Sequence, residues 1–179
     1  ASVELYAMKN GVKSPVIKQQ FFKVPSDRSI TVLSEVHPMY TAGGKDALID
    51  GIVGDANWKT GDWQSYFAKD FVAVVDLQKV RPVKYVGVNV LQEVSPWIVF
   101  PKEVLFEVSN DGKIFTALTT VANKIGMDVP GPVAQQLGTT VNTTARYIRV
   151  TAKTGGQLPA WHESAGSPTH IFIDEVIIK

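Results

Sequence analysis

The chain has 179 residues, 45% apolar and 20% charged, which suits one domain with a packed core plus a short extra piece and excludes disorder. The formal net charge is +1, with lysines and arginines interleaved among acids, so the clustered positive charge that nucleic-acid binding requires is absent. There is no cysteine, which excludes disulfides, thiol catalysis and zinc–thiolate centres.

Residues 2–8 and 16–22 read as two strands around the turn Lys9-Asn10-Gly11. A lone hairpin is only marginally stable in water. This first piece is therefore expected to pack on the main domain or to be the remnant of a preceding one. Pro25-Ser26-Asp27 breaks the pattern, and the boundary falls near residues 24–28, dividing the chain into 1–24 and 29–179. The chain opens at Ala1-Ser2-Val3 without Met and reads as a piece excised from a longer protein. No apolar run approaches the ~18 residues of a membrane span.

Beyond the boundary, helical periodicity is hard to find. Short, β-branched apolar runs bounded by turn residues predict strands at 72–77, 85–90, 103–109, 146–152 and 169–178. In the third of these, Val104, Phe106 and Val108 are expected to face a core, and Glu103, Leu105 and Glu107 to face away. Asn110-Asp111-Gly112 follows as a hairpin turn, and Lys113-Ile114-Phe115 begins the return. Gly43-Gly44, Pro130-Gly131-Pro132, Thr154-Gly155-Gly156 and Ala165-Gly166-Ser167-Pro168 punctuate the rest. Many short strands without crossover helices exclude a parallel βαβ architecture and imply a sandwich or barrel.

Catalysis finds no support. No carboxylate pair has a recognisable glycosidase setting, and no nucleophile motif is present. Asp174-Glu175 is adjacent on a predicted strand, so the two side chains are expected on opposite faces, unable to cooperate.

Several segments, in order, resemble the discoidin family (F5/8 type C) and its carbohydrate-binding branch, family 32. They are Ala47-Leu48-Ile49-Asp50-Gly51 followed by Thr60 and Trp63, then Phe71 to Leu77, then VLFEVSNDGKIF from Val104 to Phe115. Ala145 to Thr151 and Asp174-Glu175-Val176 complete the set. A narrower likeness rests on Tyr40-Thr41-Ala42-Gly43-Gly44, Trp63-Gln64-Ser65-Tyr66, Ser95-Pro96-Trp97-Ile98 and Leu158-Pro159-Ala160-Trp161-His162. These are similar to the C-terminal domains of bacterial family 20 β-N-acetylhexosaminidases. The stretch VELYAMKNGVKSPVIKQQFF resembles the last hairpin of the small chitobiase/hexosaminidase C-terminal domain that precedes the discoidin domain in such enzymes.

The resemblance implies an all-β chain, an eight-stranded antiparallel jelly-roll sandwich after a short hairpin remnant. It implies a ligand site on loops at one end, often beside a structural Ca²⁺. Asp50, Thr60 and Glu175 stand where the family places metal ligands, Asp55 could add a carboxylate, and backbone carbonyls near Ala47 and Leu48 would complete the shell.

Sugars have polar rims and apolar C–H faces, so proteins stack an aromatic ring on the face and aim hydrogen bonders at the hydroxyls. Trp161, His162, Trp97 and Tyr40, all in predicted loops, are the candidates for that role, whereas Trp63 is expected in the core. The leading reading is a non-catalytic module binding galactose- or N-acetylhexosamine-containing glycans. It would be covalently linked to a bacterial glycoside hydrolase that is secreted, periplasmic or on the outer cell surface. A second reading is a structural accessory domain packed on its catalytic neighbour. A third is membrane attachment through the apolar stretch Pro96-Trp97-Ile98-Val99-Phe100, which the adjacent Glu93 and the near-neutral charge disfavour.

Overall fold

Strand-forming runs dominate the computed structural model, which describes residues 2–21 and 24–179. In the first piece, β1 (Ser2–Leu5) pairs with β4 (Ile17–Gln20), and β2 (Met8–Lys9) pairs with β3 (Val12–Lys13). Asn10 and Gly11 turn the inner pair with φ of 51° and 77°, the left-handed pair of a tight hairpin turn. Glu4 faces Lys18 across the outer pair at 2.8 Å. Val3, Leu5 and Ile17 point the other way and are exposed. The predicted end of the second strand at Phe22 lies outside the described residues.

The main body contains β5 (Ser29–Val32), β6 (Gln64–Phe67), β7 (Phe71–Gln92), β8 (Glu103–Ser109), β9 (Thr116–Ala122), β10 (Val133–Ala152) and β11 (His170–Ile178). The hydrogen-bonded order is β6-β11-β7-β10-β8-β9, with β5 added to β7, and every pairing is antiparallel. β7 and β10 pair along their lengths and bend together. Residues 71–77 of β7 join β5 and residues 145–152 of β10, whereas residues 85–92 join β11 and residues 133–140 of β10. The bend is marked by Gln78 at φ 63°, by Pro82 and by two register shifts in β10. The main body thus has seven strands where eight were expected, and the two long ones serve both layers.

Between the layers lies the core. Phe71, Ala73, Val75 and Leu77 alternate inward from the first layer, against Val86, Val88, Val90, Ile171, Ile173 and Val176 from the second. Each fully buried aliphatic or aromatic side chain contributes on the order of 1.5–3 kcal/mol. The outer face of the second layer is covered too, since Leu91 and Phe172 pack with Trp63 and Ile98.

Three sequence expectations are corrected here. The return strand after Asn110-Asp111-Gly112 begins at Thr116 rather than Lys113, because Asp111 Oδ1 accepts the amides of Lys113 and Ile114 and holds them in the loop. The apolar stretch proposed to meet a membrane is core: Ile98, Val99 and Phe100 are buried. Asp174 and Glu175 do not part to opposite environments. A register shift between Ile173 and Glu175 relaxes the alternation, and both carboxyls are buried against one loop, accepting the amides of Gly54 and Gly51.

Candidate functional site

At the end of the sandwich away from the bend, three loops surround a groove of about 460 Å³, within the range of small-ligand sites. The first loop, after β7, is closed by a two-residue antiparallel bridge between Glu93 and Ile98. Its tip places Trp97 at φ 69°, a region that bulky side chains rarely adopt. The second, between β9 and β10, is braced by Asn123 Oδ1 accepting from Ile125 N, and by Gln92 Nε2 donating to Gly126 O at 2.8 Å. The third, between β10 and β11, is tied at its neck, where Leu158 N donates to Ser167 O and Gly166 N to Leu158 O. Above that neck, His162 N donates to Pro159 O, which sets Trp161 on a turn at the rim.

The predicted sugar-binding residues divide between two places. Trp161 is 61% exposed and lines the groove beside His162, their ring centroids 6.1 Å apart. His162 is 8% exposed. Its Nδ1 accepts the Ser164 amide at 3.0 Å, which assigns the proton to Nε2. Trp97 is half-buried and packs beneath the groove with Val94, Val99, Leu158 and Met127, capping the end of the sandwich. Tyr40 lies elsewhere, in a cluster of rings with His37, Trp58, His170 and Phe172. Trp63 is in the core as expected.

That aromatic cluster contains a second polar unit. Ser65 Oγ and His170 Nδ1 are 2.7 Å apart, and burial, then the neighbouring His37, push His170 down to about 4. Ser65 is fully buried, so no substrate can reach its hydroxyl.

The predicted metal ligands are partly assembled. Asp50 and Glu175 come together around Gly51: Glu175 Oε2 accepts the Gly51 amide at 3.2 Å, and Asp50 Oδ1 accepts the Ile52 amide at 2.8 Å. Asp55 Oδ1 takes the Asn57 amide, and the Thr60 hydroxyl lies within hydrogen-bond reach of Asn57 O and Asp62 Oδ2, with one proton to share between them, so these two serve their own turns. Among the described residues no three acidic or imidazole groups converge on one point. Burial pushes the Asp174 carboxyl up to about 6 and Glu175 up to about 8, against the downward pull of the Gly54 and Gly51 amides. Among the described residues Asp174 Oδ1 is buried without a hydrogen-bond partner. A cation fits the Asp50–Glu175 pair in charge, but the remaining oxygens of a Ca²⁺ shell would have to come from backbone.

The sequence profile of the F5/8 type C domain matches residues 29–169. The chain belongs to the F5/8 type C domain family. No curated protein matches it in sequence. Solved structures similar to it include the family 32 carbohydrate-binding module of Clostridium perfringens NanJ in complex with galactose. That module is 15% identical, with 86% of this chain and 93% of that one covered and a TM-score of 0.52. Two modules of a Clostridium perfringens family 31 glycoside hydrolase are similar as well. CBM32-1 is 17% identical over 86% of this chain and 94% of that one, and CBM32-3 is 14% identical over 86% and 90%, each with a TM-score of 0.51. At such identities the likeness establishes the fold, an antiparallel β-sandwich.

In this F5/8 type C domain the sequence placed Gln92 and Glu93 near Trp97 but gave no sign that three acids share the groove. Glu93, Asp128 and Glu163 line the groove with Trp161. Glu163 was adjacent to the Trp161-His162 pair, so its place was readable. Asp128 and Glu93 come from distant loops that only the fold brings near. Gln92 is 1% exposed; besides donating to Gly126 O it accepts the Phe100 amide through Oε1, joining the first loop to the second.

Proposed function

We propose that this F5/8 type C domain is a non-catalytic glycan-binding module whose site is the Trp161 groove. The observation that carries this is a large indole left 61% exposed on a rim where His162 is 8% exposed beside it. An indole platform takes the C–H face of a pyranose, and the Nε2–H of His162 can donate to a hydroxyl. Similar folds from Clostridium perfringens include a module solved with galactose and modules of a glycoside hydrolase. This supports a galactose-type glycan as ligand and a linked glycoside hydrolase; N-acetylhexosamine-containing glycans and a place outside the bacterial cell belong to the same proposal. The test is intrinsic tryptophan fluorescence during titration with galactose, N-acetylgalactosamine, N-acetylglucosamine and chitobiose. A saturable change abolished in Trp161→Ala supports the reading, and silence at millimolar concentrations of all four sinks it.

The hairpin supports a linked neighbour. Its face of Val3, Leu5 and Ile17 is exposed, and β1 and β4 pair with each other among the described residues. We read residues 1–24 as the tail of a preceding domain, which would cover that face. Calcium, if bound in the full protein, would be held by Asp50 and Glu175 with the carbonyls of Ala47 and Leu48, where it would neutralise buried carboxylate charge. Thermal melts with Ca²⁺ and with chelator test this.

A further inference from the structure

The groove carries charge as well as an aromatic face. Its lining includes the carboxylates of Glu93, Asp128 and Glu163 and contains no lysine or arginine. Glu93 accepts the Trp58 indole N–H at 2.6 Å, and Lys59 Nζ sits 5.2 Å over that indole ring, so Glu93 is partly compensated. Asp128 and Glu163 are exposed, and among the described residues no basic group pairs with them.

A second observation is independent of the acids. His162 is more than nine-tenths buried, lines the groove, and has its Nδ1 occupied by the Ser164 amide. Among the described residues its Nε2–H has no acceptor, and the atom is not sealed from solvent, so it is open to a ligand oxygen at the groove. The groove thus presents an apolar plate, one hydrogen-bond donor and a rim of negative charge.

Resting on the glycan-binding reading, we propose that the groove selects hexosamine units carrying free amino groups over their N-acetylated and anionic counterparts. The pyranose face lies on Trp161, a ring hydroxyl accepts from His162 Nε2–H, and the ammonium pairs with Asp128 or Glu163. An N-acetyl group removes that positive charge. A uronic acid or sulfated sugar adds a negative charge to a rim that already holds three carboxylates. Exposed pairs are individually weak and screened by salt, so the selection is moderate and salt-dependent.

The test titrates tetramers of glucosamine, of N-acetylglucosamine and of galacturonic acid into the protein by calorimetry, in about 50 mM and about 500 mM salt. The proteins are the unaltered chain, Trp161→Ala and the double variant Asp128→Asn with Glu163→Gln. In the unaltered chain at low salt the glucosamine tetramer binds at least about threefold tighter than the acetylated one, and the galacturonic acid tetramer does not bind. The preference collapses at high salt and in the double variant, while Trp161→Ala loses every ligand. Equal or tighter binding of the acetylated tetramer, or a preference indifferent to salt and to the double variant, overturns the charge selection and leaves the glycan site standing. Failure of all three tetramers to bind the unaltered chain overturns the charge selection, and the galactose titration then decides the glycan site separately. Both substituted carboxylates are exposed, and a circular dichroism melt of the double variant confirms that it folds.

Discussion

Trp58 donates its indole N–H to Glu93 Oε2 at 2.6 Å, and this bond couples the aromatic cluster around Tyr40 to the wall of the groove. Tyr40 touches Trp58 and Trp58 holds Glu93, so Tyr40 can influence ligand binding without meeting the ligand. Trp58→Phe keeps most of the ring packing and deletes the bond. The expected result is a loss of about 1–2 kcal/mol in stability together with weaker glycan binding, read by thermal denaturation and titration on the same sample. Unchanged binding would show that Glu93 keeps its position without Trp58.

The two groove tryptophans should separate cleanly. Trp161→Ala removes an exposed side chain and is expected to change stability by less than about 0.5 kcal/mol while abolishing binding. Trp97 is half-buried under the groove, with φ of 69°. Its replacement by Ala costs packing and retains the unfavourable backbone, whereas Gly relieves the backbone. Trp97→Gly should therefore be more stable than Trp97→Ala by about 1 kcal/mol, measured by urea denaturation. The opposite order would mean that the loop relaxes when the indole is removed.

Buried titrating groups of opposite sense shape the pH dependence of stability, and single substitutions separate them. His170 titrates near 4 when folded, against 6.5 ordinarily. Between those values the unfolded chain binds a proton that the folded chain refuses, so stability is lost as pH falls through the window. The effect is on the order of 1 kcal/mol once partial solvent screening is allowed for. His170→Gln should flatten this acid limb in a pH series of chemical denaturation curves.

Glu175 acts in the opposite sense. Its folded value near 8 lies above the ordinary 4.5, and that of Asp174 near 6 lies above 3.8. Here the folded chain retains protons that the unfolded chain has released, so stability declines as pH rises through those windows. With chelator present, Glu175→Gln should raise the melting temperature at pH about 8 more than at pH about 5. Added Ca²⁺ should stabilise the unaltered chain at the higher pH and do little for Glu175→Gln. A Ca²⁺ response that survives in Glu175→Gln would move the ion away from this carboxylate.

What the sequence revealed followed from local periodicity. Residues 103–109 were predicted in full because apolar and charged residues alternate there and a turn follows. The first half of β10 escaped, since Gln135, Gln136, Gly138, Thr139 and Thr140 carry no apolar alternation. It is a strand because β7 beside it supplies the pairing. Trp161 and His162 were legible as a loop pair. That Trp161 is exposed and Trp97 half-buried was not, because exposure at loop tips depends on how distant loops meet. The shared environment of Asp174 and Glu175 was hidden as well, since a bulge leaves no mark in the alternation of residue types.

The linker and the last strand meet at the bend. Asp27 pairs with Arg81, Gln78 Nε2 donates to Ser26 O, and Arg28 Nη1 donates to Ile178 O at 3.2 Å. Residue 92 and the groove lie at the other end of the second layer, about 20 Å away along strands rising about 3.3 Å per residue. The sandwich therefore separates the linker from the groove by the length of its second layer. A neighbour joined through the linker would sit at one end of the sandwich, with the Trp161 groove at the other. On the proposed reading, a glycan bound in the groove would be held about 20 Å from the linker, a distance set by the strands and not by the linker's length.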